Sequence, residues 1–367
     1  MAALEGTEAA VPPLHRRGAV GVPRRAAESC RHLDRGRGIM TLVADEAAAE
    51  GLGGFVSADA EALVNVVIVT YNNRDSIGPL MDSLRHEART LTMRVVVVDN
   101  SSADDTAGRV REAYRDVKVV HAGGNLGYAA GINIGMRALP SAEFTFVVNP
   151  DALIDAGCIG ALVARARETA AGVVAPKLLG ADGRLAVSLF REPTVLGTLG
   201  DGVFGSRWSN RPGWLSEIVY DSEDYQFAHV VDWAAGAAML ISRQASDAVG
   251  EWDERYFLYS EETDFQRRLR QSGMSVWYEP NAVVRHTQGG SGGSPDQYAL
   301  LAVNRVRYVR RYRGRAYAAT FRGAAIVWEL MRAKRPWNAR ALRALLSEQS
   351  WSSLPNGTGR PAGGSGS

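Results

Sequence analysis

The chain has 367 residues, of which 46% are hydrophobic and 22% charged, with a formal net charge of +2. These are globular values that supply a sizeable core, and the net charge by itself argues neither for nor against nucleic acid. No apolar run approaches the ~18–20 residues that cross a bilayer, and no apolar stretch followed by a small-residue cleavage site marks a signal peptide. The charge is unevenly spread, with twelve Arg and Lys against one acid, Glu329, between Val303 and Arg343.

Residues 1–60 are rich in Ala, Gly, Arg and Pro without a sustained period and are expected to form a disordered leader, consistent with an extension upstream of a start at Met40. One of the two cysteines, Cys30, falls there and the other is Cys158, so no structural disulfide is expected and a reducing compartment fits. VNVVIVT (64–70) then reads as an apolar strand, and Ser76–His86 as a helix with Ile77, Leu80, Met81 and Leu84 at helical spacing. RVVVVD (94–99) is a second strand, and Asp104–Tyr114 a helix whose leading acids suit its N-terminus. VKVVHA (117–122), Gly127–Leu139 and FTFVVN (144–149) continue as strand, helix and strand. Continuous Val/Ile runs separated by helices predict an α/β fold with a parallel sheet covered on both faces.

Beyond Asp151 the pattern predicts a helix (156–168), a strand (172–176), a less regular region from Arg184 to Gln226 and a strand pair or bent strand over HVVDWAAGAAMLISR (229–243). A helix over EETDFQRRLRQSG (261–273) is closed by Gly273. A strand, SVWYEP (275–280), precedes VVRHTQGGSGGS (283–294), which runs into a Gly-rich mobile loop. Pro295–Leu346 is helical and basic, and a polar Gly-rich tail ends the chain; its Asn356-Gly-Thr358 sequon is read as a chance match.

Ligands of such sheets bind at the carboxyl ends of the strands, where this chain places Thr70-Tyr71-Asn72, Asp99-Asn100-Ser101-Ser102, Asn125 and Asn149-Pro150-Asp151. One polar strand end is a turn; four in register indicate a ligand cleft. GGNLGYAAGINIG lacks the G-x-G-x-x-G order and follows the third strand, so a dinucleotide fold is disfavoured, and a G-x-x-x-x-G-K-S/T phosphate loop is absent. Asp99 suits either a base-binding carboxylate or a cap for the helix near Asp104. Asp151 suits either a divalent cation, which takes hard oxygen ligands, or a plain Asn-Pro-Asp turn. Glu261, Glu262 and Asp264 suit a helix N-terminus, or, after the aromatic run Tyr256-Phe257-Leu258-Tyr259, a partly desolvated general base. His286 is a structural hydrogen-bonder or a ligand, and Trp233 a core residue or a sugar platform.

Together, VVIVTYNNRDSI, VVVVDNSSADDT, NLGYAAGINIG, FVVNPDALI, VDWAAGAAMLISR, FLYSEETDFQRRLRQSG and VVRHTQGGS resemble an inverting family-2 glycosyltransferase of the GT-A fold over roughly Val64–Arg313. The similarity is to the bacterial rhamnosyltransferase-like branch, in which Asn-Pro-Asp stands where many relatives have Asp-x-Asp. The resemblance implies a Rossmann-like, mostly parallel sheet flanked by helices. It divides the chain into leader 1–60, a GT-A domain 61–294 with a nucleotide-binding half 61–151 and an acceptor half 152–294, a basic helical extension 295–348 and a disordered tail 349–367.

The resemblance also implies roles. Thr70, Tyr71, Asn72 and Asp99 would bind the base and ribose of a dTDP- or UDP-sugar, with Asn125, Gly127 and Asn133 along the nucleotide-sugar pocket. Asp151, with His286, would ligate Mg²⁺ or Mn²⁺ at the diphosphate, Asn149 being its neutralised partner. Trp233 and Gly236 would border the acceptor. The family's base lies in Glu-Asp-x-Asp, which here is Glu261-Glu262-Thr263-Asp264. The base therefore maps to Glu262, one methylene longer than the usual aspartate, with Glu261 or Asp264 as its neighbours in the role.

The implied reaction is rhamnosyl transfer from dTDP-rhamnose to a lipid-linked or cell-surface glycan, with galactofuranosyl or N-acetylhexosaminyl transfer from UDP-sugars as competitors. A nucleotidyltransferase lacks its triphosphate loop in TYNNRDSIGP, and a catalytically silent glycan- or lipid-binding relative would not need the acids at 99, 151, 261, 262 and 264. The basic, apolar segment 316–331 suits an interfacial helix on an anionic membrane, at the cytoplasmic face, or a helical cap or dimer contact. Nucleic-acid binding is disfavoured because the basic helices also carry apolar residues.

Overall fold

The computed structural model describes residues 53–57, 60–286 and 293–356. Most of the expected leader with Cys30, the core of the Gly-rich loop (287–292) and the tail from residue 357 with its sequon lie outside the described residues.

Four strands, β1 (Val64–Thr70), β2 (Met93–Asp99), β3 (Lys118–His121) and β4 (Phe144–Val148), pair in parallel in the order β3-β2-β1-β4. Every residue of β1 and β2 is buried. That is why their sequences are unbroken runs of Val and Ile rather than alternations. Helices α1 (Ile77–Glu87), α2 (Thr106–Ala113) and α3 (Tyr128–Ala138) make the crossovers. α3 lies unusually close to the sheet: a Cβ on Gly131 or Gly135 would stand 2.5 Å from a methyl of Val69 or Val67.

The second half is mixed. After β5 (Ala152–Ile154), α4 (Cys158–Thr169) and β6 (Val173–Leu179), the chain passes through β7 (Leu189–Phe190), α5 (Val195–Phe204), β8 (His229–Val231) and β9 (Trp233–Ala234). It re-enters the sheet as β10 (Ala238–Ser242), then continues through α6 (Arg243–Val249), α7 (Glu261–Gln271) and β11 (Val276–His286). The full order is β3-β2-β1-β4-β10-β6-β11-β5, with β8 and β5 antiparallel to β11 and β7 paired with β9 in a separate ribbon. β10 is antiparallel to both β4 and β6, whereas β6 and β11 are parallel. The expected parallel arrangement therefore holds for β1–β4 and for the β6–β11 pair. β10 runs the other way because the chain returns to the sheet from the side of the strands' carboxyl ends, as the Asn149 N–H to Ala237 carbonyl bond shows.

The irregular stretch 184–226 is ordered by polar contacts rather than by periodicity. Asp201 is ion-paired with Arg211, both fully enclosed, and also accepts from Ser216 Oγ at 2.5 Å and from the Glu217 N–H at 2.9 Å.

Helix α8 (Pro295–Leu330) opens with a capping box between Ser294 and Gln297 and breaks at Gly314, whose φ of 80° and ψ of 173° are non-helical. Its halves fold back on one another, so that Tyr298 Oη lies 3.4 Å from Glu329 Oε1. α9 (Pro336–Leu346) packs beside them. No described helix is long and apolar enough to cross a membrane. The segment after 348, expected to be disordered, begins as a 3-10 turn over Glu348–Ser353. Trp351 holds it there, donating to the Ala344 carbonyl at 2.8 Å while Arg307 and Arg322 lie over its ring.

Because α3 touches the sheet through bare glycine, Gly135→Val is expected to cost about 1–3 kcal/mol through overpacking. Urea unfolding checks this: the midpoint should fall at unchanged m, and an unchanged midpoint would mean that α3 can move away freely.

Candidate active site

The carboxyl ends of β1, β2, β4 and β11, with the segments preceding β10 and α7, enclose a cavity of about 210 Å³. Its wall carries Thr70, Tyr71, Asn125, Gly127, Asn149 and Asp151 from the first half of the chain, and Gly236, Glu261, Glu262 and His286 from the second.

Strand register assembles one side. His286 pairs with Ala152 across β11 and β5, which puts its Nε2 3.1 Å from Asp151 Oδ1 and 3.1 Å from Asn149 Nδ2. The Asn-Pro-Asp segment is thus both a turn and part of the cavity wall. Among the described residues there is no group of three or more His, Cys, Asp or Glu placed to hold a metal. Asp151 offers the kind of oxygen that a hard cation takes, and His286 beside it would be its neighbour in holding one.

The opposite side holds the acids. Glu261 is 3% exposed, Glu262 keeps part of its surface at the cavity, and the Oε2 atoms of both have no hydrogen-bond partner among the described residues. Burial pushes both carboxyls up, the charge of Glu262 adding to the rise at Glu261. Between the two sides stands Tyr128, which donates to the Gly236 carbonyl at 3.2 Å. Its phenol is driven well above the usual range by burial and by the charges of Glu261, Glu262 and Asp151. Gly236 is the packing surface of the acid: a Cβ there would stand 3.3 Å from Glu262 Cβ.

The backbone leading into these acids is strained. Phe257, Tyr259 and Ser260 have φ of 64°, 70° and 71°, a region that costs non-glycine residues about 1–3 kcal/mol each. The Tyr128 N–H holds the Phe257 carbonyl at 2.6 Å. Asn304 of α8 reaches the carbonyls of Tyr256, Leu258 and Tyr259 at 2.7, 2.9 and 3.1 Å.

The remaining expected residues lie elsewhere. Asp264 is fully buried and turned toward the C-terminal helices, accepting from Arg268 Nε at 2.7 Å and Tyr312 Oη at 2.6 Å, with Arg311 at 3.1 Å. This neutralised anchor is outside the cavity wall. Asp99 lies behind that wall, accepting from Thr70 Oγ1 at 3.2 Å and Ser102 Oγ at 2.5 Å. It stabilises the turn after β2 and does not cap α2. Asn72 joins the same turn through the Ala103 N–H. Asn133 sits mid-helix and exchanges hydrogen bonds with Trp252. Trp233 stacks on Phe190 at 4.1 Å and donates to the Arg191 carbonyl. It borders a second, smaller cavity of about 30 Å³ that also reaches Glu262, Arg305 and Tyr308.

The glycosyl transferase family 2 profile matches residues 65–192. The N-acetylglucosaminyl-diphospho-decaprenol L-rhamnosyltransferase of Mycobacterium tuberculosis is 31% identical over 259 residues, covering 66% of this chain and 82% of that protein. The chain belongs to glycosyl transferase family 2. The galactofuranosyltransferase GlfT1 of Mycobacterium tuberculosis is 27% identical over 239 residues, 63% of this chain and 72% of its own. Among solved structures, GalNAc-T7 with UDP, GalNAc and Mn²⁺ superposes with a TM-score of 0.50 at 16% identity, over 68% of this chain and 48% of that one. The likeness concerns the fold, and the expected GT-A architecture is the one found.

Reading motifs of this family-2 transferase missed Tyr128 and Asn304. Tyr128 had a usable signal, since it opens α3 directly after Gly127, in the loop region that follows β3; Asn304, in a basic helix, had none.

A carboxyl whose pKa is raised in the folded state contributes stability that is complete below its ordinary value of 4.5 and lost as pH rises through the raised value. Glu261→Gln removes that loss. The variant is expected to unfold at higher urea than wild type at pH 8 and to show no such gain at pH 4, each pKa unit being worth about 1.4 kcal/mol. Equal midpoints at both pH values would mean Glu261 is not held away from water.

Proposed function

We propose that the protein is a metal-dependent, inverting transferase that moves a hexose, in the first instance L-rhamnose from dTDP-rhamnose, to a hydroxyl of a lipid-linked glycan. The observation that carries this reading is the desolvated carboxyl of Glu262, whose Oε2 has no hydrogen-bond partner among the described residues, set on one cavity wall with the Asp151–His286 pair on another. The relative that acts on a diphospho-decaprenol-linked sugar supports the acceptor class and the donor sugar. The galactofuranosyltransferase relative supports UDP-galactofuranose as the competing donor.

In this reading Thr70, Tyr71 and Asn125 face the nucleoside, with Asp99 and Asn72 fixing the loops that carry that wall. Gly127 lets the chain approach the donor, and Asn133 steadies the helix behind it. Gly236 and Trp233 shape the acceptor side of Glu262. An acceptor hydroxyl attacks the anomeric carbon from the face opposite the nucleotide. As the new C–O bond forms and the bond to the diphosphate breaks, the hydroxyl proton passes to Glu262. A raised pKa makes Glu262 a stronger base once ionised. Glu261, 3% exposed, stands beside it on the same wall. A divalent cation held by Asp151 and His286 would neutralise charge on the leaving diphosphate, and Asn149 would orient His286. A silent binding relative would have no use for two uncompensated buried acids.

The bilayer is the proposed location of the acceptor, at the cytoplasmic face. The exposed side chains of Val203, Trp208, Val327, Leu330 and Met331 lie on α5, the turn after it and the end of α8. Those elements meet where Arg332 donates to the Gly202 carbonyl at 2.8 Å. Arg207, Lys334 and Arg335 are exposed around them. An apolar edge with a cationic rim suits an anionic lipid surface.

Nucleotide release from dTDP-rhamnose, UDP-galactofuranose and UDP-N-acetylglucosamine, with Mg²⁺ or Mn²⁺ and membrane extract as acceptor, tests the activity. Glu262→Gln is expected to lose at least about 100-fold in kcat while still binding nucleotide, a loss typical of a removed general base. Asp151→Ala should lose metal-dependent turnover. An active Glu262→Gln would move the base elsewhere, and a wild type that turns over no donor would favour the binding reading.

Co-sedimentation with vesicles tests the surface: wild type should pellet with phosphatidylglycerol vesicles more than with phosphatidylcholine. A Leu330→Asp/Met331→Asp double variant should stay in the supernatant, and equal pelleting of the two proteins would remove the patch from the reading.

A further inference from the structure

We propose that Asn304, in the helical extension and remote in sequence from every motif residue, is a positioning residue for the catalytic base; the inference rests on the assignment of Glu262 above. Asn304 is fully buried. Its amide nitrogen lies 2.7, 2.9 and 3.1 Å from the carbonyl oxygens of Tyr256, Leu258 and Tyr259, and its Oδ1 accepts from Arg307 Nη1 at 3.0 Å. The orientation of the amide follows from these partners, because the reverse would set its oxygen against three carbonyls and its NH₂ against a guanidinium. Two N–H groups serve three acceptors, so every donor that the side chain owns is committed to one stretch of backbone.

That stretch is the one that needs holding. Phe257, Tyr259 and Ser260 all have left-handed φ, and Glu261 and Glu262 follow immediately. Non-glycine residues persist in that region only where their surroundings over-determine it. Here the determinants come from two sides. Tyr128, at the start of α3, grips the Phe257 carbonyl from the cavity side, and Asn304 grips the three neighbouring carbonyls from α8. The same helix then secures the far side of the acids, where Arg311 and Tyr312 take the Asp264 carboxylate. The α8 segment from Asn304 to Tyr312 is thus a brace across the turn that aims Glu262.

An ordinary buried asparagine would affect folding alone, whereas a positioning residue must affect the chemistry of the folded enzyme. Removing the amide releases the strained turn, opens the two acids further to water and lowers their raised pKa values toward the ordinary range. The acid limb of the kcat–pH profile should then move to lower pH, because the base ionises sooner.

The test compares wild type, Asn304→Ala, the milder Asn304→Ser and Glu262→Gln, using whichever of the three donors wild type turns over and correcting for folded protein by circular dichroism. Both Asn304 variants are expected to lose on the order of 10- to 100-fold in kcat, the scale of a small misplacement of a reacting group. Donor KM and the affinity for free dTDP or UDP should stay within about twofold, as a misplaced base leaves nucleotide binding intact. The acid limb should shift down in pH, by less in Asn304→Ser than in Asn304→Ala. If Asn304→Ala does not fold, Asn304→Ser carries the same comparison. Folded variants with wild-type kcat and an unmoved acid limb overturn the inference while leaving the base assignment standing. An active Glu262→Gln overturns the assignment itself, whatever Asn304 does.

Discussion

Two adjacent carboxyl groups, one buried and one at the cavity wall, with no ion-pair partner among the described residues, set the terms for the rest of the molecule. An isolated buried carboxylate is among the most expensive groups a protein can hold. Glu261 and Glu262 sit at the start of α7, where the helix end favours negative charge but only in part. Among the described residues no side-chain cation pairs with them, and Arg305, which lines the smaller cavity with Glu262, is taken by Glu217. The arginines of the C-terminal helices pair instead with Asp264, Asp253 and Glu217, so that their charge is spent away from the cavity. Basic composition in that region is therefore a matter of placement: the arginines that reach toward the acids, Arg305 and Arg311, are each held by another carboxylate.

The first half of the fold was legible because its determinants are local. VNVVIVT and RVVVVD are buried on both faces, and such strands advertise themselves by composition. Their polar ends follow from topology, since every strand of β1–β4 points the same way. Asp151 and His286 illustrate the intermediate case. Each could be singled out by its neighbours in sequence, but that they meet depends on the antiparallel register of β5 on β11, which no local pattern encodes.

The rest was illegible for a physical reason. Asn133 and Asp264 are polar residues in promising stretches whose hydrogen bonds turn inward, to Trp252 and to Arg268 and Tyr312. Sequence supplies a side chain's chemistry, whereas the direction in which it spends that chemistry is set by helix rotation. Asn304 is the converse, an amide in a run of arginines whose backbone acceptors lie 45 to 48 residues away. Residues 184–226 lack periodicity because their order comes from the Asp201 network, which specifies a conformation without an apolar stripe.

The break at Gly314 has a geometric consequence for substrate handling. Uninterrupted, 36 residues of helix would extend about 54 Å at 1.5 Å per residue, carrying the apolar edge at Leu330 far from the sheet. Folded back, the helix returns that edge to the level of Tyr298, one residue from Gln297 on the cavity rim. If, as proposed, the acceptor's tail stays in a lipid phase at that edge, the hairpin would act as a ruler. It would set how far the glycan head must rise from the surface to which the tail is tethered before its hydroxyl meets the proposed base. Changing the hairpin's length would alter which sugar along a growing chain comes into reach, with no change in the site itself.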